Sequence, residues 1–296
     1  MVTVNGSNII KNIIFDVDDT LYDVGTGFTA HRNSDSVTSF MVEKLHFPSK
    51  AVAQKLRDEY FARYHSTAKG LTVAEQEGRF PPLHPSHTHA GNNSSSSFSN
   101  YQNTEPRFRT QDLAEWWTER SDYSLLKGPY VDVANMIREC HLNTIAFSNG
   151  PRKYVLRVLK ELGLDGEEVL PESRVFAVDD VLPYCKPDRR AFESVLHKVG
   201  IDDPSTCIMV EDSMKNIRVA KSLGMTTVLI TGLNRMVRQG QPQSSSKDGH
   251  ESQSFADAAE LTKAGDAPDQ YDSAVDYCIE SVIDLKNVLP HLWQSI

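Results

Sequence analysis

Two aspartates, Asp16 and Asp18, follow directly on the apolar run Ile13-Ile14-Phe15. A short apolar run is typical of a buried parallel strand. Residues two apart in extended backbone lean toward the same side, although Asp18 already falls in the loop beyond the strand. Two such close carboxylates repel each other unless a cation lies between them, and a divalent cation with oxygen ligands is the usual one. The stretch predicts either a metal-assisted acid pair or a solvated acidic turn.

Two later stretches repeat this arrangement. Glu211 and Asp212 end a second apolar run, and Ser148 with Asn149 ends a third, just before a helix that Pro151 opens. The free amides and the dipole of a helix N-terminus favour an anion there, although Ser or Asn at this position can serve only as a cap. Open α/β sheets carry their chemistry at the carboxyl ends of the strands. We therefore expect these polar side chains to meet at one edge.

A lysine precedes the helix predicted over residues 189–199. Lys186 is followed by Pro187, which rigidifies the approach to that helix. A single lysine is usually a solvated charge. Its position before a helix in the third α/β unit favours a role at the same edge as the acids.

The order of the predicted elements indicates the fold class. Strands alternate with helical patterns, which predicts an α/β fold with a parallel sheet and right-handed crossovers. Residues 23–126 form an inserted helical module, in which a helix opened by Ser49 runs to about Ala68 and is ended by Gly70. The polar tracts 78–107 and 239–272 are predicted to be mobile. An edge strand and an amphipathic helix over 282–293 close the chain.

The composition limits the function classes. The chain has 296 residues and a net charge of -9, which argues against binding nucleic acid by counterion release. A small phosphorylated metabolite remains compatible, because one metal ion reverses the local charge. No apolar run approaches the ~20 residues that span a bilayer, so we expect a cytoplasmic protein with no membrane partner. Four widely spaced cysteines favour a reducing compartment: Cys140, Cys185, Cys207 and Cys278.

Taken in order, the four motifs resemble those of the haloacid dehalogenase-like (HAD) hydrolase superfamily. These motifs are Asp16-x-Asp18-x-Thr20, Ser148-Asn149, Lys186-Pro187 and Glu211-Asp212-Ser213. The resemblance implies a Rossmann-like core formed by residues 1–22 and 127–296, with a helical cap over 23–126. It also implies a Mg²⁺-dependent phosphatase, because most members of the superfamily have that activity.

The same resemblance implies catalytic roles. Asp16 would be the nucleophile and would become an aspartyl phosphate, which a carboxylate can form once its charge is shared. Asp18 would protonate the departing oxygen and later take a proton from water. Lys186 would offset the repulsion between the nucleophile and the phosphate. An acid at position 18 disfavours the dehalogenase branch, whose leaving group needs no proton.

Metal and phosphate ligands follow from the resemblance as well. Mg²⁺ would bind Asp16, the backbone carbonyl of Asp18 and Asp212. HAD proteins often have Asp-Asp or Gly-Asp where this chain has Glu211-Asp212, and the longer Glu211 would reach the metal directly or through water. Phosphoryl oxygens would be held by three groups: Ser148, the amide of Asn149, and Lys186.

Within the superfamily, the chain is most similar to the yeast and plant pyrimidine 5′-nucleotidase-like proteins. This likeness implies a nucleoside 5′-monophosphate as substrate, with His31, Tyr64 and Lys69 of the cap closing over it; each of these three can equally be packing or a solvated charge. It rests on the following stretches: Asp16 to Tyr22, Tyr60-x-x-x-Tyr64 with Lys69-Gly70-Leu71, Cys185-Lys186-Pro187, and Glu211 to Ile217 with Leu223-Gly224-Met225.

Other functions fit the same residues. A sugar-phosphate phosphatase or phosphomutase, or a lysophosphatidate phosphatase, could use this core. A non-catalytic regulatory binding module is the alternative from a different class. The intact set of four motifs argues against the binding module.

Overall fold

The computed structural model describes residues 2–4, 8–83, 105–233 and 267–293. Six parallel strands form the central sheet, in the order β5-β4-β3-β6-β7-β8, and β1 pairs with β2 in a separate antiparallel ribbon. The strands are β1 (Val2–Val4), β2 (Asn8–Ile10), β3 (Asn12–Phe15), β4 (Asn143–Phe147), β5 (Val175–Phe176), β6 (Cys207–Glu211), β7 (Thr226–Ile230) and β8 (Tyr277–Ile279). The predicted α/β class with a parallel sheet is confirmed.

The first strand of the sheet in the chain, β3, lies at its centre. All four of its residues are buried, which fits an apolar strand covered on both faces. Ile14 pairs in parallel register with Ile145 of β4 and with Met209 of β6. The carboxyl ends of β4, β3 and β6 therefore lie side by side. The residues that follow these ends are the ones that the sequence singles out.

Helical segments connect the strands of the sheet. Between β3 and β4 lie a 3₁₀ turn (Val24–Thr26), α1 (Phe28–His31), a π-helical stretch (Arg32–Ser36), α2 (Val37–Glu43), α3 (Lys50–Tyr64), α4 (Thr67–Gln76), α5 (Thr110–Arg120), a second 3₁₀ turn (Tyr123–Leu126) and α6 (Val131–Glu139). The later helices are α7 (Arg152–Glu161), α8 (Val178–Val181), α9 (Arg189–Lys198) and α10 (Met214–Ser222).

The prediction of one helix ending at Gly70 is wrong. Helix α3 stops at Tyr64, and His65 takes a left-handed conformation with φ of 51°. Ser66 then caps α4, since its hydroxyl accepts a hydrogen bond from the amide of Lys69 at 3.3 Å. Gly70 lies inside α4, where a Cβ would come 3.1 Å from that of Tyr60. The glycine therefore allows α3 and α4 to pack closely.

The final segment is not one amphipathic helix. It consists of a 3₁₀ turn (Val282–Asp284), a short helix (Leu285–Val288) and another 3₁₀ turn (Pro290–Leu292). Pro290 has no amide hydrogen to continue the helical ladder, so the pattern is broken there. Leu285, Leu289 and Leu292 are nevertheless buried against the core, which explains the apolar periodicity.

The two polar tracts predicted to be mobile lie mostly outside the described residues. Their described ends make defined contacts. Arg79 pairs with Glu59 at 2.9 Å, and the ring of Phe80 packs edge-on against Phe47. Asp272 accepts a hydrogen bond from Arg218 at 2.9 Å. The mobility of residues 78–107 and 239–272 stays a prediction.

The inserted helices touch the sheet-bearing part of the chain at several points. Trp117 of α5 packs against Tyr154 of α7, with ring centroids 5.5 Å apart. The division into a core and a cap over 23–126 stays a prediction.

All four cysteines are free thiols. None of the helices in the described part of the chain has the length and apolar character needed to cross a lipid bilayer.

Candidate active site

Lys186 lies buried at the carboxyl end of the sheet. Its Nζ donates hydrogen bonds to Oδ1 of Asp16 at 2.6 Å, to Oε2 of Glu211 at 2.8 Å and to the carbonyl oxygen of Phe147 at 2.8 Å. These acceptors belong to the ends of β3, β6 and β4, which are neighbours in the sheet. All three donors of the ammonium group are therefore used. The fold brings together residues that are far apart in sequence.

Three carboxylates meet beside this lysine. Asp16, Glu211 and Asp212 each offer an oxygen within 4.8 Å of the other two. Three carboxylates and one ammonium group give this largely buried site an excess of negative charge. A divalent cation would offset that charge. A donor set made only of oxygen suits a hard cation such as Mg²⁺. The residues present therefore fit a metal of this type.

Burial changes the acid–base behaviour of the trio. Burial raises the pKa of Asp16 above its ordinary value, an effect that Lys186 opposes and Asp212 strengthens. The pKa of Glu211 is raised further by burial and by the charge of Asp16. Burial disfavours the charge of Lys186, but the two carboxylates that it contacts raise its pKa above the ordinary range. The lysine thus stays charged, and a bound cation would favour ionised acids.

Asp18 lies in a separate hydrogen-bond network. Its Oδ2 accepts a hydrogen bond from Nη1 of Arg32 at 2.6 Å, and its Oδ1 accepts from the hydroxyls of Tyr22 and Tyr154, each at 2.7 Å. Burial alone would raise the pKa of Asp18, but Arg32 and the two hydroxyls lower it below its ordinary value. The side chain of Asp18 is therefore not part of the carboxylate trio, and a role for its backbone carbonyl at the metal stays a prediction.

Ser148 and Asn149 occupy the turn between β4 and α7. The hydroxyl of Ser148 accepts a hydrogen bond from the amide of Gly150 at 2.9 Å, so it does cap this turn. The side chain of Asn149 forms a reciprocal pair with the backbone of Lys186, with distances of 2.9 and 2.8 Å. Its Nδ2 also reaches the carbonyl oxygen of His65 at 3.3 Å. Asn149 thus positions the lysine and connects it to the inserted helices.

A cavity of about 670 Å³ opens over these groups. The predicted residues Asp16, Asp18, Ser148, Asn149, Lys186, Glu211 and Asp212 all line it. One face of α3 forms another wall, with Gln54, Arg57 and Phe61 of the helix and His65 directly after it, at spacings of three and four residues. Sequence reasoning missed these wall residues. Their signal was a helical stripe that carries charged and aromatic residues in place of aliphatic ones.

The three predicted cap residues lie elsewhere. Among the described residues, His31, Tyr64 and Lys69 are not in the lining of the cavity. Tyr64 stacks on Tyr60 with ring centroids 6.3 Å apart, and Nζ of Lys69 donates to the carbonyl oxygen of Pro183. A role for His31, Tyr64 and Lys69 in binding substrate stays a prediction, and the lining of the cavity does not support it.

A parallel sheet that gathers acids, a lysine and a serine at its strand ends, beneath a cavity, defines an α/β enzyme with an acid centre. Comparison with known proteins identifies the enzyme family. The model of the haloacid dehalogenase-like hydrolase family matches residues 10–224, and the chain belongs to that family. The superfamily assignment made from the sequence is confirmed.

Individual relatives are more distant. A CbbY-like protein of Arabidopsis thaliana is 38% identical over 64 residues, which span 22% of this chain and only 19% of that protein. The L-2-haloacid dehalogenase of Xanthobacter autotrophicus shares the fold, with a TM-score of 0.50 and 18% identity over 96% of this chain and 99% of that one. The HAD phosphatase of Thermococcus onnurineus has a TM-score of 0.49 and 16% identity, covering 95% and 98%.

Proposed function

We propose that the protein is a Mg²⁺-dependent phosphatase that hydrolyses a small phosphate monoester through an aspartyl phosphate on Asp16. The observation that carries this proposal is the contact of Lys186 with both Asp16 and Glu211 beneath the cavity. Phosphoryl transfer depends on neutralising and positioning negative oxygens more than on a strong base. The site offers a buried ammonium group next to the nucleophile for that purpose.

The chain's own residues account for the two steps. Asp16 attacks phosphorus, and the bond from phosphorus to the oxygen of the leaving group breaks as that oxygen receives a proton from Asp18. Water then attacks phosphorus, Asp18 takes up its proton, and inorganic phosphate leaves Asp16 free. Lys186 and the hydroxyl of Ser148 hold phosphoryl oxygens near the end of β4. Lys186 does so by turning one of its three donors from a protein acceptor to the phosphoryl group.

The trio of Asp16, Glu211 and Asp212 would hold the metal. When bound, Mg²⁺ supplies a positive charge that polarises a phosphoryl oxygen and orients the ester. Glu211 also keeps Lys186 in place, because its Oε2 accepts a hydrogen bond from that lysine. It can serve the metal through its second oxygen or through a water molecule.

Asp18 favours phosphatase over dehalogenase chemistry. An alkoxide leaving group needs a proton, whereas a halide does not. Asp18 lines the same cavity as Asp16, but it starts ionised beside Arg32. It must therefore lose that contact, or part of it, and take up a proton from solvent before it can protonate the leaving group.

The substrate class stays a prediction. The likeness to pyrimidine 5′-nucleotidases implies a nucleoside 5′-monophosphate, and aromatic side chains at the cavity support room for a base: Phe61 and Trp117. The residues first chosen for that role, Tyr64 and Lys69, do not support it. A cavity of this volume is within the range that small metabolites occupy.

The direct test is phosphate release with and without Mg²⁺ from a panel of nucleotides, sugar phosphates, lysophosphatidate and a generic aryl phosphate. We expect turnover that chelation removes and that the Asp16→Asn variant lacks, by a factor of about 10³ or more. Asp202→Asn serves as the matched control, because Asp202 is exposed in the loop after α9 and outside the cavity lining. Activity in Asp16→Asn close to wild type would contradict the proposal, as would halide release from a 2-haloacid without phosphate release.

A further inference from the structure

Arg57 is a buried arginine in the wall of the cavity that the phosphatase chemistry leaves unused. It lies on α3, its side chain is only 1% exposed, and it lines the same cavity as the acids. Its Nη1 donates to Oδ1 of Asp58 at 3.0 Å. Its Nε and Nη2 are buried and have no hydrogen-bond partner among the described residues. Two of its three nitrogen atoms thus lack an acceptor.

The ion pair with Asp58 only partly offsets the charge of Arg57. Asp58 is the next residue along the chain, its side chain is 49% exposed, and the same Oδ1 also accepts from Gln54 at 2.6 Å. Burial lowers the pKa of Arg57 to about 10, although Asp58 opposes that shift. A buried charge without a full partner is costly to keep, so the fold retains Arg57 at the expense of stability. Such an expense is typical of a binding residue.

The unpartnered atoms have a defined geometry. Nε and Nη2 lie on one edge of the guanidinium plane and form the side-on fork that matches the two oxygens of a carboxylate or phosphate. The guanidinium carbon lies 4.0 Å from the centre of the Phe61 ring, which restricts how the plane can turn. Nε and Nη2 of Arg57 are therefore oriented to donate to two oxygens of one carboxylate or phosphate group.

Three other cations line the cavity: Lys215, which is a single ammonium group that contacts Nε2 of His65 at 3.0 Å, and two that have acidic partners. Arg32 is paired with Asp18, and Lys186 is paired with Asp16 and Glu211. An anion that enters the cavity and seeks a buried donor pair would find it at Arg57. Because Lys186 is committed to the transferred phosphoryl group, the anion at Arg57 must be a different one.

We infer that Arg57 binds a second anionic group, a carboxylate or a phosphate, carried by the leaving group of the substrate. This inference rests on the proposed phosphatase function. The transferred phosphoryl group lies at the sheet end near Asp16, and the leaving group extends across the cavity toward α3. Arg57 is then a specificity-determining residue for bis-anionic esters. A nucleoside 5′-monophosphate carries its negative charge only on the transferred group, so this inference favours other substrates.

The test uses matched esters that differ only at their far end. Straight-chain alkyl phosphates with two to five methylene groups carry a terminal hydroxyl, carboxylate or second phosphate. Their leaving alcohols have similar basicity, so differences in kcat/KM report recognition of the far end. We expect wild-type kcat/KM to be about tenfold or more higher for the best anionic member than for its hydroxyl counterpart. Comparison of the carboxylate and bisphosphate series then identifies which anion is preferred.

Two substitutions assign that preference to Arg57. In Arg57→Gln the advantage of the anionic esters should disappear, mainly through KM, while the hydroxyl esters keep their rate. Arg57→Lys keeps the charge but loses the fork, so it should retain only part of the preference. Arg63→Gln is the matched control, because Arg63 lies on the same helix but pairs with Glu77 at the surface. That control should retain the full preference.

The outcomes separate the inference from the proposed function. Equal kcat/KM for hydroxyl and anionic esters in the wild type would overturn the inference while leaving the phosphatase in place, and this comparison does not depend on whether a variant folds. An anion preference that Arg57→Gln retains would overturn it too. If no ester is hydrolysed, the phosphatase proposal fails, and calorimetric binding of the same esters to the wild type decides whether anionic members still bind more tightly.

Discussion

Nη1 of Arg32, in the inserted helical segment, donates a hydrogen bond to Oδ2 of Asp18, in the loop after β3, at 2.6 Å. The same Nη1 reaches the hydroxyl of Tyr154 on α7, also at 2.6 Å. Both members of the ion pair are largely buried, with side-chain exposures of 9% and 14%. One ion pair therefore connects the inserted helices to the residue that we propose as the proton donor, and keeps that residue ionised.

Removal of Arg32 should destabilise the protein and change its pH dependence. Arg32→Met leaves Asp18 buried without its cation, so we expect the free energy of unfolding to fall by about 3–5 kcal/mol. The pKa of Asp18 should rise, because Arg32 is what lowers it against burial. The alkaline side of the pH–rate profile should then move to higher pH, because Asp18 must be protonated when it donates to the leaving group. Urea unfolding and kcat/KM against pH measure the two effects.

The double variant Arg32→Met with Asp18→Asn provides the control. Neutralising the unpaired acid should restore part of the lost stability. A double variant that is less stable than either single one would show that the pair contributes through packing alone.

Mg²⁺ should stabilise the folded protein through Asp212. Binding to the folded chain at a hundredfold excess over Kd adds about 2.7 kcal/mol to the free energy of unfolding. Asp212→Asn removes one of three carboxylates from the trio, so the same Mg²⁺ concentration should stabilise it less. Thermal unfolding across a Mg²⁺ titration measures this without any assay of activity. Asp202→Asn, at an exposed position, should respond like the wild type, and an equal response of Asp212→Asn would exclude that ligand.

Loss of the Asn149 side chain should disturb the position of Lys186. Asn149→Ala removes both hydrogen bonds to the backbone of Lys186 and the one to His65. Backbone groups that lose a partner in a partly buried place cost about 1–3 kcal/mol. We expect a lower kcat together with that loss of stability, measured by steady-state kinetics and urea unfolding.

Asn149→Asp is the matched variant for this position. Its oxygens still accept from the amide of Lys186, but they cannot donate to the carbonyl oxygen of that residue. The variant should therefore fall between wild type and Asn149→Ala. Identical kcat in all three proteins would contradict a positioning role.

His65 should make the protein less stable in mild acid. Burial lowers the pKa of His65 below its ordinary value of 6.5, and Lys215, 3.0 Å from its Nε2, lowers it further. Below pH 6.5, His65 is protonated in the unfolded chain but still neutral in the folded chain. The free energy of unfolding therefore decreases as the pH is lowered, until the pH passes the pKa of His65 in the folded chain. Urea unfolding at pH 7.5 and at 5.5 should show a smaller loss for His65→Gln than for wild type. His197→Gln, at an exposed position of α9, should lose as much stability as wild type.

The sequence alone determined the sheet and its acid edge. Apolar runs that end in Asp16, Ser148 and Glu211 could be read directly, because a strand buried on both faces needs an uninterrupted apolar sequence. In a parallel sheet the ends of such strands meet on one side, so the meeting of these residues followed from topology. The order of the motifs then indicated the family, which the comparisons confirm.

Only the tertiary structure decided what faces the cavity from the inserted helices. The rotation of α3 is set by how it packs on α4 across Gly70, and that packing turns Arg57 and Phe61 inward and Tyr64 away. The partner of Asp18 was equally hidden, since Arg32 lies fourteen residues away, on a π-helical stretch. Contacts between elements depend on helix rotation and on distant packing, which local spacing does not record.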